Sequence, residues 1–138
     1  MPTSKEFAIR VEDRPGTLGK ACRALADHNV NILAFQSIAS EGKSLVRIVC
    51  DNPTTAKATL DREHLTYTEA EIAQVKLPNR PGELARVAAR LGEANININH
   101  AYSGVEPGTN APLLIVGVTD ARKAATILDQ TASAAGGS

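Results

Sequence analysis

The chain has 138 residues, 43% hydrophobic and 22% charged, which suits one ordinary domain or two very small ones around a buried core and excludes both a large multidomain enzyme and a disordered chain. Fifteen basic residues balance fifteen acidic ones, so no global field steers the protein to nucleic acid or an anionic membrane. The longest apolar runs, Leu113 to Val118 and Ile32 to Phe35, fall far short of the about 20 residues that span a bilayer. Met1 to Phe7 lead into no apolar stretch of signal-peptide type, and Cys22 and Cys50 sit in apolar contexts without partner spacing. Reduced thiols and a cytoplasmic location are the expectation. The aromatic residues are only Phe7, Phe35, Tyr67 and Tyr102, too few to build base-stacking platforms.

Phe7, Ile9 and Val11 alternate with Ala8, Arg10 and Glu12, the period of a half-buried strand. Leu18, Ala21, Cys22, Leu25 and Ala26 then fall at helical spacing. Second and third strands are predicted over Val30 to Ser37 and Leu45 to Cys50, joined by the Gly-containing loop Ser40 to Lys43. A second helix starts at Asn52-Pro53, a cap residue with proline in the first turn, and a short fourth strand is predicted around Leu65 to Thr68. The order then recurs. Ala73, Val75 and Leu77 mark a strand, and Leu84, Val87, Ala88 and Leu91 mark a helix. Strands over Ile96 to Ser103 and Leu113 to Val118 follow, joined by the loop Gly104 to Pro112. A last helix starts at Asp120, with Ala121, Ala124, Ala125 and Leu128 as its apolar stripe. Thr131 to Ser138 are expected to form a flexible tail that leaves the second copy without a fourth strand.

The recurrence is literal. Arg14-Pro15-Gly16-Thr17-Leu18 returns as Arg80-Pro81-Gly82-Glu83-Leu84, and Asn31-Ile32 returns as Asn97-Ile98. Across Arg14 to Ile32 against Arg80 to Ile98, 8 of 19 positions are identical, where unrelated segments give roughly one or two. The chain is a tandem duplication, with domains predicted at 1–69 and 70–130 and the tail at 131–138. Each copy reads as an α+β, ferredoxin-like βαββαβ unit with helices on one face of an antiparallel sheet.

The residues most suited to binding lie at the turn before each first helix, Asp13-Arg14-Pro15-Gly16 and Asn79-Arg80-Pro81-Gly82. Proline fixes φ, glycine permits close approach, and the helix start offers unpaired N–H groups to a carboxylate. Asp13 or Asn79 can equally serve as a plain helix cap. Asn29 and Asn95 are expected to end the helices in left-handed geometry. Asn31 and Asn97 stand where second strands begin, and an amide can pair with both the ammonium and the carboxylate of an amino acid. About 12 helical residues separate turn and asparagine within a copy, roughly 18 Å, so they can share a small ligand only across two copies. Asn79 would then pair with Asn31 and Asp13 with Asn97 within a chain, or Asn79 with Asn97 between chains. His28 and His64 read as helix-end residues, and His100 with Tyr102 as candidate specificity residues. No histidine or cysteine stands at catalytic or metal spacing, so no catalysis, cofactor or metal is expected.

The doubled motif, Asp13-Arg14-Pro15-Gly16-Thr17-Leu18 with Asn31-Ile32 and Asn79-Arg80-Pro81-Gly82-Glu83-Leu84 with Asn97-Ile98, resembles a tandem pair of ACT domains over about residues 5 to 130. The resemblance implies a βαββαβ fold that binds a small amino acid between domains and regulates metabolic enzymes. In the similar serine-binding domain of phosphoglycerate dehydrogenase, asparagines at the positions matching Asn79 and Asn97 hold the ligand. The small regulatory subunit of acetolactate synthase carries a similar Pro-Gly-x-Leu turn, which implies control of a separate enzyme as the alternative role. The expectation is therefore a non-catalytic, amino-acid-binding regulatory protein that forms a homodimer.

Overall fold

A computed structural model describes residues 3–106, 108–109 and 111–136, with side chains through Thr131. In chain order the elements are β1 (Thr3–Glu12), α1 (Thr17–Asp27), β2 (Ile32–Ser40), β3 (Lys43–Cys50), α2 (Pro53–Arg62), β4 (Thr66–Lys76), α3 (Glu83–Glu93), β5 (His100–Val105), β6 (Pro112–Gly117) and α4 (Ala121–Gly136). Lys5–Ala70 forms one compact unit, and Glu71 onward, with the residues before Lys5, forms a second.

In the first unit β3 is central and antiparallel to both neighbours. It meets β1 from Phe7↔Ile48 to Glu12↔Lys43, and β2 from Ala34↔Val49 to Ser40↔Lys43, with a bulge between Ile32 and Ala34. The β2–β3 hairpin closes through Glu41 (φ 53°) and Gly42 (φ 79°), both left-handed as a two-residue turn of this twist requires. The alternation in β1 places Phe7, Ile9 and Val11 on the face that packs against Leu25 of α1 and Ala56 and Leu60 of α2, all buried. Asn52 caps α2 by accepting from the Thr55 N–H at 3.1 Å, with Pro53 in the first turn. The start of β4 belongs here too. The Tyr67 ring meets Phe7 edge-on at 5.8 Å, and Lys57 of α2 reaches Glu69 at 2.8 Å.

The second unit repeats the plan. β6 is central, antiparallel to β4 (Ala73↔Val116 to Lys76↔Leu113) and to β5 (His100↔Gly117 to Val105↔Pro112). Val87, Leu91, Ala124, Ala125 and Leu128 of α3 and α4 cover Ala73, Val75, Leu114 and Val116. Asp120 accepts from the Lys123 N–H at 3.0 Å and opens α4.

Three expectations need correction. The short fourth strand at Leu65 to Thr68 and the strand through Ala73 to Leu77 are one continuous strand, β4. Thr66 to Lys76 contains no glycine, proline, asparagine or aspartate to break it. The residues from Thr131 to Gly136 are not a tail but the last turns of α4, because Thr131 is buried and its hydroxyl donates to Ile127 O at 2.8 Å. Residues 137–138, and positions 107 and 110 of the loop before Pro112, lie outside the described residues. Finally, β5 begins only at His100 rather than Ile96, with Asn97 and Asn99 in the irregular approach. On the edge of the second unit, Ser4 donates to Gln74 of β4 at 2.5 Å.

Leu91 is fully buried where α3 meets the second core. Leu91→Ala should lower the unfolding free energy by about 3 kcal/mol, measured by urea denaturation.

Candidate functional site

The two Arg-Pro-Gly turns share a backbone and differ in side-chain chemistry. Gly16 (φ 93°) and Gly82 (φ 88°) are the residues from which α1 and α3 start, both left-handed, and neither helix has a side-chain cap. A Cβ at either position would meet nothing within 4 Å, so the backbone angle and not a close neighbour selects glycine. The N–H groups of Leu18 and Gly19, and of Leu84 and Ala85, have no intrahelical acceptor, because the ladder starts with Lys20 to Gly16 O and Arg86 to Gly82 O, each 2.9 Å. Pro15 and Pro81 are exposed.

The capping reading of Asp13 and Asn79 does not hold. Asp13 is tied to the hairpin instead: its N–H donates to Gly42 O at 2.9 Å and its carboxylate receives the Ser44 hydroxyl at 3.4 Å. Asn79 is exposed. In the first turn the Thr17 hydroxyl lies 2.7 Å from Glu12 O and 3.1 Å from Arg14 O, while the Arg14 guanidinium pairs with Glu12 at 3.1 Å. In the second, Glu83 replaces that threonine and is clamped by Arg80 and Arg86, each 2.8 Å away. Hydrogen bonds from Arg80 and then Arg86 hold the Glu83 carboxyl below its ordinary value of 4.5. Its charge also faces the positive end of α3. Arg86 further donates to Thr131 O at 3.0 Å, which ties the turn to the end of α4.

Asn29 and Asn95 end their helices as the sequence suggests. Asn29 (φ 60°) and Asn95 (φ 59°) are left-handed and close α1 and α3, with Val30 N–H returning to Leu25 O and Ile96 N–H to Leu91 O. Asn31 is exposed, and its backbone exchanges two 3.0 Å hydrogen bonds with Asp51. The Asn97 amide is exposed and donates to Asn99 at 3.2 Å. Ile32 and Ile98 pack against the two cores, as does Leu18, whereas Leu84 is 56% exposed. His28 caps the end of α1, its Nδ1 2.9 Å from Ala24 O and its Nε2 facing Arg62.

His100 and Tyr102 stack nearly parallel, centroids 6.2 Å apart, on the same face of β5. A feature the sequence did not flag supports them: a Cβ on Gly117, the cross-strand partner of His100, would fall 2.0 Å from the imidazole. The sequence also gave no warning of a cavity of about 330 Å³ in the first unit. Arg14 and Thr17 reach it from the turn, but most of its wall comes from Arg10, Lys20, Lys43 and the link Glu63–Thr66. Both thiols are free, and burial pushes Cys50 up to about 12, so it is an unreactive core residue.

A doubled βαββα unit with this turn at each first helix matches a known domain. The ACT domain model fits residues 6–62 and 72–136. The chain belongs to the ACT domain family. Among solved structures, this tandem ACT protein is similar to protein BT0572 from Bacteroides thetaiotaomicron, at 23% identity over 93% of this chain and 88% of that one, with a TM-score of 0.82. It is also similar to the ligand-free regulatory subunit of aspartate kinase from Thermus thermophilus, at 16% identity over 95% of this chain and 93% of that one, with a TM-score of 0.64. The comparison with curated proteins returned no match.

The Glu83 clamp has a pH signature. With its folded-state pKa lowered, the paired carboxylate contributes its full stabilisation above about pH 4.5 and loses it as pH falls through the lower folded value. Melting temperatures of the wild type and Glu83→Gln should therefore differ at neutral pH and draw together as the pH is taken progressively below about 4.5. A gap that stays constant over that range contradicts the clamp.

Proposed function

We propose that this tandem ACT protein is a non-catalytic regulator that binds a small amino acid. The observation that carries the reading is the repeated helix entrance. Behind each left-handed glycine two N–H groups lack intrahelical acceptors beside the positive end of a helix, a receptor for a carboxylate. The ligand would be completed by the exposed asparagines, Asn31 or Asn97, of another ACT copy, whose amides suit an ammonium and a carboxylate together. Arg14 and Arg80 flank the entrances, and His100 and Tyr102 would shape selectivity. Ligand that bridges two copies stabilises one arrangement by its differential affinity, and that arrangement is the regulatory signal. The protein would act in the cytoplasm as a homodimer, without nucleic acid, membrane, metal or cofactor.

A second reading, control of a separate metabolic enzyme by direct contact, is favoured by the exposed apolar side chains Phe35 (61%) and Ile38 (48%) on β2. The similarity to a regulatory subunit of aspartate kinase leads in the same direction.

A thermal-melt screen against the common L-amino acids tests the first reading, because a ligand of the native state at 100 times its Kd adds about 2.7 kcal/mol. The expected result is a selective rise with one or two amino acids, lost in Asn79→Ala and Asn97→Ala while both remain folded. The absence of any rise, or a rise retained in both variants, counts against it.

A further inference from the structure

The cavity of the first unit shares Arg14 with the proposed amino-acid site, but neither Asn31 nor any residue of the second copy lines it. Its charged lining consists of Arg10, Arg14, Lys20 and Lys43 against Glu12 and Glu63, four cations to two carboxylates and hence a net +2. Glu12 is spent on Arg14. Among the described residues, no carboxylate lies within 4.0 Å of Arg10, Lys20 or Lys43. Like charges gathered around a concave surface repel one another, and an anion of matching size relieves that repulsion.

The duplication supplies a precedent inside the same chain. Arg14, Thr17 and Lys20 correspond, at the 66-residue shift, to Arg80, Glu83 and Arg86. In the second copy those two cations hold a carboxylate, that of Glu83, at 2.8 Å on each side. In the first copy the carboxylate-bearing residue is replaced by Thr17, the cations remain, and a cavity stands beside them.

We infer that the cavity between α1, the end of β1 and the α2–β4 link binds a small dianionic metabolite, one anionic group of which takes the place that Glu83 fills in the second copy. Lys20 and Lys43 supply charge-assisted hydrogen bonds, Arg10 neutralises the second negative charge, and the volume of about 330 Å³ admits a molecule of a few carbon atoms. Glu63, on the same wall, disfavours higher anionic charge and offers a partner to an ammonium group. A dicarboxylate and a phosphate monoester share this chemistry, and two probes separate them. The inference does not rest on the amino-acid reading.

Calorimetric titration of the full chain with succinate and with inorganic phosphate, at low ionic strength and with acetate as the monoanion control, is the test. At least one dianion should bind more tightly than acetate. The double variant Lys20→Gln, Lys43→Gln, which alters only exposed side chains, should weaken it by about tenfold or more. Thr17→Glu, which installs the tethered carboxylate of the second copy, should abolish it, whereas Asn97→Ala should leave it unchanged. Binding of neither dianion overturns the proposal, as does binding that the double variant leaves intact. Loss of the amino-acid response with dianion binding preserved would refute the proposed function alone.

Discussion

The fold and its candidate chemistry depend on one backbone constraint, a positive φ at the residue that opens the first helix of each copy. Gly16 at 93° and Gly82 at 88° turn the chain from the end of a strand directly into α1 and α3. An L side chain there would cost about 1–2 kcal/mol, which explains glycine even with nothing crowding its Cα. The same turn fills the capping position with a residue that has no side chain. The first N–H groups of each helix are thereby left to solvent, to a neighbouring side chain or to a ligand.

The two copies resolve that situation differently. The second answers its own helix charge with Glu83, held by Arg80 and Arg86, and fastens the assembly to α4 through Thr131 O. The first has a threonine whose hydroxyl turns back to the carbonyls of Glu12, at 2.7 Å, and Arg14, at 3.1 Å, and brings no carboxylate to the cations around the cavity. Duplication has preserved the backbone device and let the electrostatics diverge. The second entrance carries a carboxylate clamped between two arginines, and the first carries none between Arg14 and Lys20.

Much of this was legible in the sequence because it is local. Period-two alternation in Phe7 to Glu12, helical spacing in the two turn-and-helix segments, the caps Asn52 and Asp120, and the left-handed Asn29 and Asn95 are all set by residues within one or two turns of one another. What escaped is non-local or contextual. The length of β4 follows from the lack of any breaker, weaker evidence than a strand motif. The persistence of α4 to Gly136 rests on burial of Thr131, which composition does not reveal. The cavity joins Arg10, Lys43 and Glu63, brought together only by the hairpin and the α2–β4 link. The turn residues were found by repetition, yet their partners were not: Asp13 reaches a hairpin 31 residues away, and Glu83 is explained by Arg86 as much as by Arg80.

The proposed capture of an amino-acid carboxylate by the uncapped helix entrances can be read at their own amides. Two-dimensional ¹H–¹⁵N spectra of the labelled protein, titrated with each common L-amino acid in turn, address it at the atoms concerned. At least one amino acid is expected to shift the backbone amides of Leu18 and Gly19 or of Leu84 and Ala85, together with a side-chain amide of Asn31 or Asn97. Spectra in which no amino acid moves those amides, or in which the shifts fall elsewhere, would contradict it.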